Sequence, residues 1–418
     1  THGLCVATRG AGADLSVYAR PGFPSDRDET IDASTVTNQT IDGVEYVFSS
    51  AADIRVPSFP YFMDSAAYYE EVARDKSIIH AASNYFIAMP GLIAARRARR
   101  RFIYEVRGFW EITKISRQGY DETNFDKFRS AQESLPALLA DHVITLTPQM
   151  TNELIERGVN PDRITVIPNS VDTNRFVPRE RDRALARRLG IADTDLVIGY
   201  IGTFVDYEGL DDLLEVFHQL TLARDNLKLL LVGDDRPSGV GEETVLPGLK
   251  KRCAELGLND KVIFTGRVPN SEVPGLYSLV DIAPFPRKPW LVCEMVSPMK
   301  PLEAMSLQKA VVVSSVGGIA GMVRNGETAL AFEKGSNAAF YSALEQLCDN
   351  PDLRARLGAA ARPWVEANRS WRAAGKTLMS LYESMLERTA PPPVDQAQYE
   401  RLMKEIFPYD ALGRSEGR

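Results

Sequence analysis

Cysteine and histidine are scarce in this chain, with four of each in 418 residues. Cys5, Cys253, Cys293 and Cys348 are scattered without a Cys-x-x-Cys pair, which argues against a disulfide framework and a zinc site and makes a reducing cytoplasm the natural compartment. No cluster of Asp, Glu or His has metal-ligand spacing, so no metal is expected. Long apolar runs are missing too. None approaches the roughly 20 residues of a membrane span, so the chain is not expected to cross a bilayer. Positive charge is not in excess either: 49 Lys and Arg against 56 Asp and Glu give a net charge of -7, which argues against generic nucleic-acid binding. An initiator methionine is also absent, and residues 1–10 read as the end of a helix that stops at Gly10 with no strand before it. A βαβ unit of about 30 residues does not start in its helix, so a strand and a Gly-rich loop are expected roughly 20 to 30 residues upstream.

What is present is the composition of an ordinary globular protein, 44% hydrophobic, at a length that one core seldom organises. Two domains are expected. In the first, β-branched or aromatic runs at 14–19, 43–49, 77–82, 102–106, 142–147 and 163–167 alternate with helical patterns at 65–76, 84–100, 124–140 and 149–157. That alternation predicts a mainly parallel sheet covered on both faces, with ligands beyond the carboxyl ends of its strands. The pattern restarts at 196–202 and continues through strands at 227–233, 262–266, 281–285 and 329–332, with helices at 209–222, 249–256, 271–278, 337–348, 353–367 and 371–388. The expected division is 1–177, 178–389 and a segment 390–418. Pro391-Pro392-Pro393 opens that segment, and its amphipathic stretch at 395–407 is expected to cross back and brace the first domain.

Polar requirements concentrate at residues 294–318. Pro298 and Pro301 are tolerated only near a first turn, so a helix starts between Ser297 and Pro301, and Lys300 and Glu303 then share a face. Free N–H groups at that helix start, with a lysine beside them, suit a phosphate, and a carboxylate at Glu303 suits a vicinal diol such as a ribose. The plainer reading is that Glu303 complements the helix dipole and Lys300 is solvated. Gly202, Gly233 and Gly266 close successive strands, where glycine serves either a plain turn or a close approach of backbone to ligand. In the first domain Glu105, Arg107 and Glu111 surround a strand end, as a structural pair or as ligand contacts. Arg96, Arg97, Arg99, Arg100 and Arg101 close a helix, as a solvated end or, beside Phe86, Ile87, Leu92 and Ile93, as a resting face for anionic lipid.

The order of several motifs carries a resemblance. They are Val166-Ile-Pro-Asn-Ser-Val-Asp172, Ile198-Gly-Tyr-Ile-Gly-Thr-Phe-Val-Asp-Tyr-Glu-Gly209, Leu230-Leu-Val-Gly233, Phe264-Thr-Gly-Arg267, Lys300-Pro-Leu-Glu-Ala304 and Val316-Gly-Gly318. Together they resemble the retaining family-4 glycosyltransferases of the GT-B fold over nearly the whole chain. Tyr104–Glu111 and Pro298–Glu303 further resemble bacterial members that build capsular and exported polysaccharides. The resemblance implies two Rossmann-like α/β domains whose parallel sheets face a cleft, with a nucleotide-sugar, UDP-linked, on the second domain and a hydroxyl acceptor, small or lipid-linked, on the first. It implies Glu303 on the ribose, the backbone around Arg267 and Val268 on the base, the helix start through Pro298, Met299, Lys300 and Leu302 on diphosphate and sugar, and Glu294 facing the sugar. The spacing from Glu294 to Glu303 is one residue longer than the family usually has.

Other departures matter. After the first strand of the second domain, following Gly202, many members carry an arginine and a lysine for the diphosphate, whereas this chain has Thr203 and Glu208. Lys300 and Arg287 are expected to supply the missing charge. A histidine often found at the first-domain strand end appears as Arg107, so Arg107 and Glu105 are the expected acceptor-side catalytic contacts. A glutamate usual after the paired glycines is also absent, with Gly321 near its place. The implied reaction is metal-independent hexosyl transfer with retained anomeric configuration. An epimerase of the same fold and a non-catalytic nucleotide-sugar sensor are the rival readings.

Overall fold

The computed structural model describes residues 1–25, 31–32, 35–49, 59–116, 123–235 and 244–388. The chain divides into two units, Thr1–Pro168 together with the chain from Ala374, and Asn169–Ala373. The first opens on α1 (His2–Gly10), the helix read at the start of the sequence. Next come β1 (Ser16–Tyr18), β2 (Gln39–Ile41) and β3 (Val44–Val47), which pair in the order β1-β3-β2. β1 runs parallel to β3, while β2 and β3 form an antiparallel hairpin with Asp42 and Gly43 at positive φ in its turn. Here the expectation of one mainly parallel sheet is corrected. β2 escapes sequence reading because all three of its residues are exposed and carry no burial pattern.

A separate parallel sheet, in the order β4-β5-β6-β7, carries the rest of this unit. It is built from α2 (Phe59–Val72), β4 (Ile78–Ala82), α3 (Tyr85–Arg97), β5 (Arg101–Val106), α4 (Trp110–Ile115), α5 (Asn124–Leu139), β6 (His142–Thr145), α6 (Pro148–Glu156) and β7 (Ile164–Val166). All four residues of β6 are buried, the continuous burial that a parallel strand covered on both faces requires. Local chemistry starts the helices: Thr123 and Asp126 make a reciprocal capping box for α5, and Thr147 caps α6 ahead of Pro148.

The arginine run at the end of α3 is tied down rather than offered to solvent. Arg96 bonds Asp141 at 2.6 Å and the Leu139 carbonyl at 2.7 Å, Arg100 bonds the Arg74 carbonyl at 2.8 Å, and Arg101 bonds the Arg388 carbonyl at 2.6 Å. Leu92 and Ile93, the apolar half of the lipid-face reading, are buried. No helix among the described residues is long and apolar enough to cross a membrane.

The second unit is a doubly wound sheet. Its elements are α7 (Arg183–Arg188), β8 (Leu196–Ile201), α8 (Leu210–Thr221), β9 (Leu227–Val232), α9 (Leu246–Glu255), β10 (Val262–Gly266), α10 (Val273–Leu279), β11 (Ile282–Phe285), α11 (Leu291–Met295), α12 (Lys300–Ser306), β12 (Ala310–Ser314), α13 (Gly317–Ala320), β13 (Leu330–Phe332), α14 (Asn337–Asp349) and α15 (Pro351–Asn368). The strands are all parallel, in the order β10-β9-β8-β11-β12-β13. The winding therefore reverses between β8 and β11. Connections from those two strands leave in opposite directions, and the gap between them at their carboxyl ends is where such sheets take a ligand.

The last helix, α16 (Trp371–Glu387), differs from expectation. Instead of closing the second unit it joins the first from Ala374 onward, and the first boundary falls at Pro168 rather than 177. Packing supplies the reason: Gly375 faces the Ala7 backbone of α1 so closely that a methyl group there would overlap it, and the Tyr382 hydroxyl bonds His80 Nδ1 at 2.7 Å. The expected helix at 395–407, and all of 390–418, lies outside the described residues.

Candidate functional site at the switch point of the second sheet

Two loops meet at the carboxyl ends of β8 and β11. Gly202 follows β8 with φ of 154°, and a side chain there would overlap the Lys300 methylenes, so glycine is what lets that lysine lie across the strand end. Lys300 is the first residue of α12, and its Nζ sits 5.2 Å from the centre of the Tyr200 ring. The same Nζ bonds Glu208 Oε1 at 3.0 Å. Glu208 ends the single 3-10 turn Asp206–Glu208 between β8 and α8 and is 4% exposed.

Arg287, just beyond β11, completes the group. Its Nε lies 3.7 Å from Glu208 Oε1, its Nη1 donates to the Val296 carbonyl at 2.8 Å, and its guanidinium faces the Tyr207 ring at 5.2 Å. The residue is 3% exposed. Burial pushes the Glu208 carboxyl up, but Lys300 and Arg287 outweigh it and hold the group below the usual carboxylate range. Arg287 was expected among the donor-binding residues, and the structure corrects that: a guanidinium so enclosed braces Glu208 and the Val296 carbonyl and has no surface left for a ligand.

Glu303 lies one turn along α12 from Lys300. It is partly buried, and no hydrogen bond or ion pair engages its carboxylate among the described residues. Burial raises its pKa to about 7, against the opposing pull of Lys300 and Arg175. Nearby, the Tyr277 hydroxyl is buried without a hydrogen-bond partner, and its ionisation is pushed up by burial and by Glu303.

The remaining donor-side residues fall out unevenly. Met299 is exposed and precedes α12 without a side-chain cap, and Pro298, before it, is partly buried with no N–H to offer. Leu302 is fully buried and its N–H already bonds the Met299 carbonyl at 3.0 Å, so its expected place on the donor is corrected. Arg267 is exposed past β10, and Val268 packs on the core. Thr203 is exposed, with its carbonyl taken by the Tyr200 hydroxyl at 3.1 Å. Glu294 is engaged at both oxygens, accepting from Gly317 N–H at 2.8 Å and pairing with Lys334 at 2.6 Å, which leaves it against the paired glycines. Asn169, from the Pro168–Asp172 loop, donates to the Ser297 carbonyl at 2.8 Å and steadies the approach to α12.

In the first unit the expected acceptor-side pair proves to be closed. Glu105 is 3% exposed at the end of β5, with Oε1 bonded to Arg107 Nε at 2.9 Å and Oε2 3.4 Å from His80 Nε2. Burial works to raise its pKa, yet His80 and Arg107 hold it down at about 2. Arg107 also donates to the Thr1 hydroxyl at 2.5 Å. The catalytic expectation for Glu105 and Arg107 is therefore corrected to a structural pair. Sequence reasoning missed a neighbouring acidic cluster: Glu133 of α5 accepts from Tyr85 N–H at 3.1 Å and the Tyr104 hydroxyl at 3.2 Å, and burial and Glu111 raise it to about 7. Glu111 in turn pairs with Arg157 at 2.7 Å.

With this geometry in place, comparison with known proteins defines the class. Residues 1–175 match the Glycosyltransferase Family 4 model and residues 182–364 the model of Glycosyl transferases group 1. Anabaena HepE, solved in complex with UDP, superposes with a TM-score of 0.67 over 82% of this chain and 86% of its own, at 20% identity, which is a likeness of fold. The fold is that of the GT-B glycosyltransferases, two Rossmann-like units with parallel sheets. The chain is a glycosyltransferase of this group 1 and family 4 kind. Among curated relatives, D-inositol 3-phosphate glycosyltransferase of Stackebrandtia nassauensis is 28% identical over 257 residues, 61% of this chain and 56% of that protein. The GDP-mannose-dependent alpha-(1-6)-phosphatidylinositol monomannoside mannosyltransferase of Mycolicibacterium smegmatis is 26% identical over 309 residues, 72% of this chain and 75% of that protein. The chain spans little more than half the length of the inositol-phosphate relatives it matches.

Proposed function

We propose that the chain moves a hexose-type sugar from a nucleoside diphosphate, UDP in the first place, to a hydroxyl acceptor with retained configuration, in polysaccharide or glycoconjugate synthesis. The observation that carries this reading is the pairing of a free, partly buried carboxylate at Glu303 with an ammonium at Lys300 on one short helix at the switch point of the second sheet. Glu303 accepts from the two ribose hydroxyls. Lys300 meets the diphosphate, where charge grows as the glycosidic bond breaks and a preorganised donor acts most strongly. No metal ion is assigned in this proposal, because Lys300 takes the electrostatic role a cation would have. A nucleotide-sugar sensor without turnover is the second reading, and the observation favouring it is that the Lys300 ammonium is already paired with Glu208. A thermal-shift panel of UDP- and GDP-sugars tests donor binding, since bound ligand raises the melting temperature by mass action. Acceptor-dependent release of the nucleoside diphosphate separates transfer from epimerisation and from sensing.

The state of Glu303 predicts a pH dependence. Only the ionised carboxylate accepts both hydroxyl bonds, and in the free protein burial holds its pKa at about 7. Binding must then release a proton, so affinity rises with pH through this window and levels off above it. For a UDP-sugar, whose diphosphate diester does not titrate there, the dissociation constant is expected to fall about tenfold between about pH 6 and about pH 8. Calorimetric titration checks this, with Glu303→Gln as the control in which the dependence vanishes. A flat profile in the wild-type protein would remove Glu303 from the ribose.

A further inference from the structure

The sequence places a glutamate where a diphosphate site would want a cation, and the structure puts that glutamate at the centre of the site. Glu208 Oε1 lies 3.0 Å from Lys300 Nζ and 3.7 Å from Arg287 Nε. Arg287 is enclosed, and only Lys300 keeps a substantial exposed fraction, with 20% of its side chain accessible. Of the three ammonium protons of Lys300, one faces Glu208, and the others are directed by that contact and by the Tyr200 ring beneath.

We infer that Glu208 is a positioning residue for leaving-group stabilisation: Arg287 fixes its carboxylate, and the carboxylate fixes the Lys300 ammonium across Gly202 for the departing diphosphate. The buried trio carries two positive charges and one negative, and the surplus appears at the only member that reaches the surface. A free lysine is a flexible four-carbon stem whose rotamers must be frozen when the anion arrives. Glu208 freezes them beforehand. Holding the ammonium this way favours the transition state, because the donor is in place before charge develops and no reorganisation is needed. The alternative role for a carboxylate here is a competing counter-ion that the diphosphate must displace, and the two roles predict opposite signs. Burial bears on the choice: with Glu208 4% exposed and Arg287 enclosed beside it, the carboxylate cannot swing out to make way, so the lysine must serve the ligand from where Glu208 holds it.

This inference rests on the donor reading above, and its test separates the two. UDP carries the extra negative charge of the leaving group and a UDP-sugar does not, so the ratio of their affinities reads leaving-group contact without any acceptor. At about pH 8, Glu208→Gln is expected to weaken UDP binding about tenfold relative to UDP-glucose, the size of one hydrogen bond to a charged group. In a Lys300→Met background the same substitution is expected to change nothing further, because Glu208 acts only through Lys300. Glu208→Asp, which keeps the charge on a shorter arm, is expected to fall in between, and it carries the test if Glu208→Gln does not fold. Unchanged or tighter UDP binding in Glu208→Gln overturns the inference in favour of a spectator or competing anion. An equal loss in both backgrounds overturns it in favour of a purely structural role. If the wild-type protein binds neither UDP nor GDP nor their sugars, the donor reading itself fails and this inference with it.

Discussion

Lys300→Ala is expected to slow single turnover by about a hundred- to a thousandfold, the cost of about 3 to 4 kcal/mol for losing one preorganised donor to developing charge. UDP-sugar affinity should change only a few-fold, since the diphosphate diester of the ground state has yet to acquire the charge that Lys300 meets. UDP itself should bind more weakly. The substitution also leaves Glu208 beside Arg287 alone. With the larger of its two opposing charges gone, burial weighs more heavily on that carboxyl and its pKa moves up, so the group is better able to protonate than to stand as a bare charge. The fold is therefore expected to survive, because nothing packs on the ammonium beyond the Tyr200 ring. Measured by single-turnover transfer with matched acceptor, a rate equal to wild type would mean that Lys300 is only a helix-end charge.

Arg287→Met should do the opposite, acting first on stability. Arg287 is 3% exposed, bonds the Val296 carbonyl at 2.8 Å and faces a carboxylate that is itself 4% exposed. Removing one partner of a buried ion pair leaves the other uncompensated, which costs about 3 to 5 kcal/mol. A methionine of similar length fills the space, so the loss reports charge rather than cavity. Adding Glu208→Gln to Arg287→Met is expected to return part of the lost stability, since no buried charge then remains unpaired. Chemical denaturation of the single and double variants checks this. Arg287→Met as stable as the parent, or a double variant less stable than either single one, would show that the guanidinium does not hold Glu208.

Much of this architecture could be read from residue order because it is locally encoded. Val262–Gly266 is a strand because a β-branched and aromatic run ends at a glycine that turns with positive φ, and the prolines at 298 and 301 fix where α12 begins. Lys300 and Glu303 share a helix, so their neighbourhood was legible too. What escaped depends on partners far away in sequence. Lys300 meets Glu208 across 92 positions, and nothing near either residue announces the other. Glu208 could be noticed only as the wrong charge in a place where a cation is usual. Burial of Arg287 is likewise set by the packing of the loop after β11, so a sequence shows its charge and not its enclosure. On the first unit, Glu105 and Arg107 are two residues apart and looked like a site, but the His80 ring that closes the group comes from β4 and the Tyr382 hydroxyl behind it from α16, across 302 positions. Glu133 sits mid-helix with no local cue, and only the Tyr85 amide and Tyr104 hydroxyl reveal it.

The central claim is that the switch point of the second sheet holds a nucleotide-sugar through Glu303 and Lys300 without a metal ion. Its most direct measurement is calorimetric titration of UDP-glucose and GDP-mannose onto the wild-type protein and onto Glu303→Ala, at about pH 8 with EDTA present throughout. The account predicts that one of the two donors binds the wild-type protein in chelator and that Glu303→Ala binds it weaker by about tenfold or more, having lost a two-point contact of a carboxylate to hydroxyls. Binding that appears only when magnesium is restored, or that is equally tight in Glu303→Ala, would contradict it.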